Sequence, residues 1–76
     1  MPMAYVLLTT EIGAEREVVK VLRKIEGVQE AFNLAGVYDI IARVKADTMA
    51  KLSQIISEQL QISRVQSKLT GMVTEA

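Results

Sequence analysis

The spacing of hydrophobic residues changes several times along this 76-residue chain, and each change predicts a new element. Residues 4–10 carry apolar side chains at both odd and even positions, which is typical of a strand that is covered on both faces. From Ala14 the apolar residues, among them Val18 and Leu22, recur at the three- and four-residue spacing of an amphipathic helix. Gly27 follows the last of them and is predicted to cap the C-terminus of this helix.

The second half of the chain predicts two more strands, a second helix and a final strand. Residues 28–35 and 38–46 alternate as strands do, and Gly36 with Val37 is a candidate tight turn between them. Asp47 is predicted as the N-cap of the second helix. The final strand is predicted over residues 64–73.

The resulting order, β-α-β-β-α-β, predicts a ferredoxin-like α+β fold. Two right-handed β-α-β crossovers joined by a hairpin give a four-stranded antiparallel sheet with both helices on one face. The first and third strands are then central, in agreement with the apolar character of the first strand. The length predicts a single domain spanning residues 1–76.

In this fold the helices cover only one face of the sheet. The other face would expose Ile41 and one parity of the first strand to water. We therefore expect the sheets of two copies to pack together as a dimeric α/β sandwich. A monomer with scattered apolar groups on its surface is the alternative.

Composition excludes several classes of function. Nine basic and nine acidic residues balance, and the chain has three aromatic residues, so we expect no direct nucleic-acid binding. With no histidine and no cysteine, disulfides, the usual zinc sites and the common nucleophile–base pairs are absent. We expect no catalytic residues, no cofactor and no metal.

Two features bear on cellular location. No uncharged apolar run approaches the roughly 20 residues needed to span a bilayer, so no membrane partner is expected. Nothing near the first residues resembles a signal peptide. We therefore expect a cytoplasmic protein.

Two segments are candidates for ligand binding. The first is Gly36 to Asp39, where a carboxylate and a phenol lie beside a glycine; its spacing alone favours a purely structural turn over a ligand contact. The second is the last strand, where Lys68 and Thr70 share one parity. Their polar side chains either bind a ligand or face solvent on an edge strand, and the second interpretation is again favoured.

Three segments resemble motifs of one known family. Residues 26–31 (EGVQEA), 36–44 (GVYDIIARV) and 65–73 (VQSKLTGMV) are similar, in order and spacing, to the effector-sensing domain of the Lrp/AsnC transcription regulators. This domain is also called RAM, for regulator of amino-acid metabolism. The similarity extends over nearly all of residues 4–73. Because the chain has no room for a helix-turn-helix domain, it resembles the stand-alone form.

The resemblance implies an assembly and a binding site. It implies dimers formed by sheet packing, higher rings that are often octamers of four dimers, and small effectors, usually amino acids, bound between dimers. Lys68 departs from the threonine or serine that the family often has at this position. Carried over by position, the implied effector contacts are Gly36, Val37, Tyr38, Asp39, Lys68 and Thr70.

The leading hypothesis is a non-enzymatic sensor that self-assembles, binds an amino acid or a similar small effector, and modulates transcription regulators or amino-acid metabolism. Its partners would include full-length Lrp/AsnC regulators, with which it would co-assemble. One alternative is an oligomerisation module that binds no ligand. Another is a small dimeric α+β barrel enzyme, against which the missing histidine argues.

Overall fold

The computed structural model describes residues 1–73 and shows an antiparallel sheet with two helices. In chain order the elements are β1 (Met3–Thr10), α1 (Glu15–Arg23), β2 (Val28–Asn33), β3 (Ile40–Lys45), α2 (Met49–Gln54), a π-helical turn (Ile55–Gln59) that continues α2, and β4 (Val65–Val73). The strand order in the sheet is β2-β3-β1-β4, and all three neighbouring pairs are antiparallel. The predicted α+β fold and the central position of the first and third strands are confirmed.

The core lies between one face of the sheet and the two helices. Every second residue of β1 points into it, and α1 and α2 with its π-helical turn supply the other side. No helix among residues 1–73 is long and apolar enough to cross a membrane. The largest fully buried side chains are those of Val6, Leu8, Val18, Leu22, Ile40, Val44, Leu52 and Leu60.

The first helix ends before the position that the sequence predicted. Its last residue is Arg23 and its C-cap is Lys24, so the prediction of Gly27 as the cap is wrong. The N–H groups of Lys24 and Ile25 donate to carbonyls three residues earlier, which closes the helix with a tightened last turn. Gly27 instead forms the turn into β2, with a φ of +99°, and its carbonyl accepts from the N–H of Lys45.

Thr48, not Asp47, is the N-cap of the second helix, so the predicted cap was wrong by one residue. Thr48 has extended backbone angles, and its Oγ1 accepts a hydrogen bond of 3.1 Å from the N–H of Lys51. A capping oxygen must lie two or three residues before the N–H that it satisfies, and Thr48 holds that position. Asp47 is exposed to solvent.

The connection between β2 and β3 is a six-residue loop, not the predicted tight turn. The strands stop at Asn33 and resume at Ile40, so both are shorter than predicted. The loop, residues 34–39, closes through a 2.7 Å hydrogen bond from the N–H of Leu34 to the carbonyl of Asp39. The N–H of Asp39 donates to the carbonyl of Leu8 at 2.8 Å. Asp39 is thus also bonded to the central strand β1.

The last strand begins one residue later than predicted, at Val65. Arg64 has a φ of +75° and belongs to the turn that precedes the strand. A register shift opposite Thr9 and Thr10 leaves Gln66 unpaired. After this bulge Ser67 lies opposite Thr9, and Lys68 lies opposite Leu8.

The sheet face opposite the helices carries a row of apolar side chains across all four strands. The register places Phe32 beside Ile41, Ile41 beside Leu7, and Leu7 beside Leu69. Phe32 and Leu69 are each about half exposed (52% and 51%), and the two central residues are partly covered by their neighbours. We call this row of four the open apolar row. It matches the uncovered face expected from the sequence.

A polar row lies next to the open apolar row. Glu30 lies beside Arg43, and Arg43 lies beside Tyr5. The Arg43 Nε is 3.5 Å from Glu30 Oε2. The open face is therefore apolar with one half-buried ion pair.

Candidate ligand site

The first candidate segment places a carboxylate at the end of the central strand β1. Asp39 is half-buried, and its Oδ2 accepts a 2.8 Å hydrogen bond from the backbone N–H of Thr10. Together with its two backbone bonds, this contact fixes the side chain of Asp39 at the junction of β1 and β3. Its Oδ1 makes no hydrogen bond within the described chain, residues 1–73. One oxygen therefore has a structural contact, and the other has no hydrogen-bond partner among the described residues.

The residues before Asp39 lie at the surface of the molecule. Gly36 has a φ of +157°, and a Cβ built on it would meet nothing within 4 Å. The side chain of Val37 is almost fully exposed, and Tyr38 is half-buried. Within a single copy, a ligand bound at this loop would therefore contact protein on one side and solvent on the other.

Three hydroxyl-bearing residues near the end of β1 were not recognised from the sequence. Thr9 Oγ1 and Ser67 Oγ are 2.5 Å apart and join β1 to β4. Thr10, only 6% exposed, buries an Oγ1 that has no hydrogen-bond partner among residues 1–73. The consecutive threonines at the end of a strand were the available signal, but the bulge that sets their pairing is not visible in the sequence.

The second candidate segment points toward the helices, away from the open face. Lys68 and Thr70 lie opposite Leu8 and Val6, whose side chains are buried in the core, so all four share the helix side of the sheet. Lys68 Nζ donates a 2.6 Å hydrogen bond to the carbonyl of Ile56 in the π-helical turn. β1 lies between β3 and β4. Within one copy, this strand therefore separates Lys68 and Thr70 from the loop that carries Asp39.

An open surface groove of about 370 Å³ lies beside Lys68. Its walls are the connection from the π-helical turn to β4 and the first residues of that strand. It is lined by Leu60, Gln61, Ile62, Ser63, Val65, Gln66, Ser67 and Lys68. It is therefore distinct from loop 34–39.

Comparison with known proteins decides the family. Residues 3–76 match the sequence profile described as the Lrp/AsnC ligand binding domain. The chain belongs to this family. The resemblance seen in the three sequence motifs is thereby confirmed.

Solved structures of similar proteins agree with this assignment. Hypothetical protein PHS023 from Pyrococcus horikoshii is 34% identical, with a TM-score of 0.92; the match covers all of this chain and 93% of that one. The transcriptional regulator NMB0573 from Neisseria meningitidis, solved as a complex with L-Met, is 21% identical with a TM-score of 0.80. That match covers 97% of this chain and 50% of the regulator, and at this identity it shows the fold alone.

A curated enzyme also shares a segment with this chain. Homocitrate synthase from Sulfolobus acidocaldarius is 39% identical over 49 residues, which are 64% of this chain and 10% of the enzyme. The chain thus spans about a tenth of the length of this curated relative. The likeness concerns one small part of the enzyme.

Proposed function

We propose that this Lrp/AsnC ligand-binding domain senses a small amino-acid-like effector and self-associates, and that it acts by modulating full-length regulators of its family. The observation that carries the proposal is the environment of Asp39: its Oδ2 accepts from the Thr10 N–H, and its Oδ1 has no hydrogen-bond partner among residues 1–73. We propose no catalytic role for this domain. The matching family profile is described as a ligand-binding domain, and the match to homocitrate synthase covers only a tenth of that enzyme.

The chemistry of loop 34–39 suits an amino acid. The effector's ammonium group would pair with the Asp39 carboxylate, and its carboxylate would accept hydrogen bonds from backbone N–H groups of the loop near Gly36. Val37 and Tyr38 would contact the rest of the ligand. The complex of the Neisseria regulator with L-Met, which has the same fold, supports this class of ligand.

Self-association would complete the site. The open apolar row favours a second copy packed sheet against sheet, because four adjacent apolar side chains are otherwise left in contact with water. Loop 34–39 lies at the surface and would meet further copies in a ring, up to an octamer of four dimers. A ligand held between copies stabilises one assembly over another by its difference in affinity, which is how binding would become a signal.

Isothermal titration of the protein with the standard amino acids tests the proposal. We expect heat with at least one of them, and an affinity at least about tenfold weaker in Asp39→Asn, because the variant loses the negative charge that pairs with the ammonium. Asparagine can still accept from the Thr10 N–H, so the loop should persist. Asp47→Asn, which alters an exposed aspartate outside the loop, is the matched control.

The proposal fails if none of the amino acids gives heat and the assembly of Asp39→Ala is unchanged. In that case the second candidate, an oligomerisation module without a ligand, is supported. Two contacts favour this candidate: Asp39 already holds the Thr10 N–H, and Lys68 already binds the Ile56 carbonyl. Light scattering would then show one mass, whichever amino acid is added.

A further inference from the structure

The edge of the sheet formed by β2 is closed to further strands. β2 is six residues long, and its register with β3 is interrupted at Gln29. The N–H of Leu34 bonds to Asp39 on the β3 side, so the carbonyl of Ala31, three residues earlier, points outward. Arg23 Nη2 donates to this carbonyl at 2.8 Å. A short strand, a bulge and a charged side chain are the means by which proteins keep an edge from pairing.

The opposite edge, formed by β4, has unoccupied backbone groups. The carbonyl of Leu8 accepts from the N–H of Asp39, on the β3 side of β1. Because successive residues of a strand bond to opposite sides, Leu7 bonds to the β4 side, where its partner is Leu69. The N–H and C=O groups of β4 that point outward therefore belong to Lys68, Thr70 and Met72. Within residues 1–73 these six groups make no hydrogen bond.

The sequence of β4 does not close this edge. The strand is nine residues long and contains no proline. Its one charged residue is Lys68, whose ammonium group is bonded to the Ile56 carbonyl on the helix side of the sheet. Its bulge lies at Gln66, before the outward groups. A long exposed edge of this kind is a template for pairing with another strand.

We propose that β4 pairs antiparallel with β4 of a second copy, about a two-fold axis at Thr70, so that two sheets form one sheet of eight strands. The regular part of the strand after the bulge is residues 67–73, and Thr70 is its midpoint. This axis places Lys68 opposite Met72 and Thr70 opposite itself. All six outward groups of each copy are then hydrogen-bonded, and no like charges lie opposite each other.

The side chains on the open face fit the same axis. Leu69, which is 51% exposed, would lie opposite Gly71 of the second copy, which has no side chain. The neighbour of Gly71 in β1 is Tyr5, which is 41% exposed. Leu69 can therefore extend over the glycine to the tyrosine ring of the other copy, and both side chains lose contact with water.

This edge contact goes beyond the proposed function. It leaves the open apolar row free for sheet-against-sheet packing and does not involve loop 34–39. Its backbone hydrogen bonds largely replace bonds to water, so the edge contact is weak alone and adds to sheet packing. Its failure would leave the proposed ligand site untouched.

The first test uses a single cysteine, since the chain has none of its own. In the paired strands the two Cα atoms at position 70 would be about 5.5 Å apart, which suits a disulfide. Under mild oxidation of dilute protein, we expect Thr70→Cys to form the disulfide-linked dimer at least about tenfold faster than Gln66→Cys. The cysteines of that control would be more than about 20 Å apart. Sheet-against-sheet packing cannot give the link at position 70, which faces the helices. Equal rates, or no dimer from Thr70→Cys, overturn the proposal.

The second test measures the hydrogen bonds themselves by amide exchange in NMR. In the parent chain we expect the outward amides to exchange at least about tenfold more slowly at high than at low protein concentration. Thr70→Lys places two ammonium groups opposite each other and should abolish this slowing. Gln66→Lys adds the same charge away from the axis and should retain it. Exchange that is independent of concentration, as expected for an edge that binds a different protein, overturns the proposal. So does slowing that survives in Thr70→Lys.

Discussion

At the scale of single residues, Gly27 combines a backbone conformation that side chains avoid with a lack of space. Its φ is +99°, and an added Cβ would lie 2.7 Å from Ile55 Cδ1 and 3.0 Å from the carbonyl oxygen of Lys45. The side chain of Ile55 can move, but the carbonyl belongs to the sheet. We expect Gly27→Ala to lower the free energy of unfolding by about 2–5 kcal/mol, the sum of the costs of a left-handed conformation and of local overpacking.

Gly13→Ala is the matched control for that measurement. Gly13 has a similar φ of +86° but nothing within 4 Å of an added Cβ, so only the conformational cost of about 1–2 kcal/mol should appear. Urea denaturation of the two variants measures the difference. Equal losses would show that the space beside Gly27 relaxes freely.

Thr10 offers a change that should stabilise the protein. Its buried Oγ1 has no hydrogen-bond partner in the described part of the chain, whereas its backbone N–H is satisfied by Asp39. Thr10→Val replaces the hydroxyl with a methyl group of similar shape and should raise the free energy of unfolding by about 1 kcal/mol, as measured by urea denaturation. Thr9→Val, which breaks the contact with Ser67, should give no gain. A loss of stability in Thr10→Val would indicate that the hydroxyl has a partner, such as a buried water.

At the scale of elements, the sequence-based prediction and the structure assign the N-cap of α2 to different residues, Asp47 and Thr48. Thr48 Oγ1 accepts from the N–H of Lys51, and Asp47 is exposed. Thr48→Ala should therefore cost about 1 kcal/mol in urea denaturation, whereas Asp47→Ala should cost much less. The reverse order of the two losses would restore the original assignment of the cap to Asp47.

Periodicity predicted the elements well because it reports which face of each one is buried. The alternation in β3 and the helical spacing of Val18 and Leu22 both reappear as buried side chains. Boundaries were predicted less well, since they depend on single contacts with distant residues. The loop after β2 ends at Asp39, whose bonds to Leu8 and Thr10 of β1 no local pattern reveals.

The candidate site shows the same limit. The sequence motifs singled out Asp39 as a candidate ligand contact by its position, and in the structure its side chain is bonded to the end of β1. The contact of Lys68 was not predicted, because it depends on a bulge at Gln66 and on the position of the Ile56 carbonyl in the π-helical turn. The sequence could indicate that Lys68 departs from its family, but not which backbone group it would bind.

At the scale of the whole molecule, the two faces of the sheet differ in what covers them. The helix side is closed, with Val6 and Leu8 fully buried. The other side carries the open apolar row together with the ion pair of Arg43 and Glu30. A small domain gains relatively little stability from its own core, so burying this face against another copy should add substantially to it. Assembly and stability are therefore expected to change together.

Leu7→Lys tests that expectation at the centre of the open apolar row. In a two-fold dimer the change occurs twice, and each buried leucine contributes about 1.5–3 kcal/mol, so self-association should weaken by at least about a hundredfold. Sedimentation equilibrium measures the loss, and circular dichroism should show that the sheet persists, because Leu7 points away from the core. Ile12→Lys, at a fully exposed loop position, should leave the association constant unchanged. Equal association in both variants would mean that copies meet through another surface.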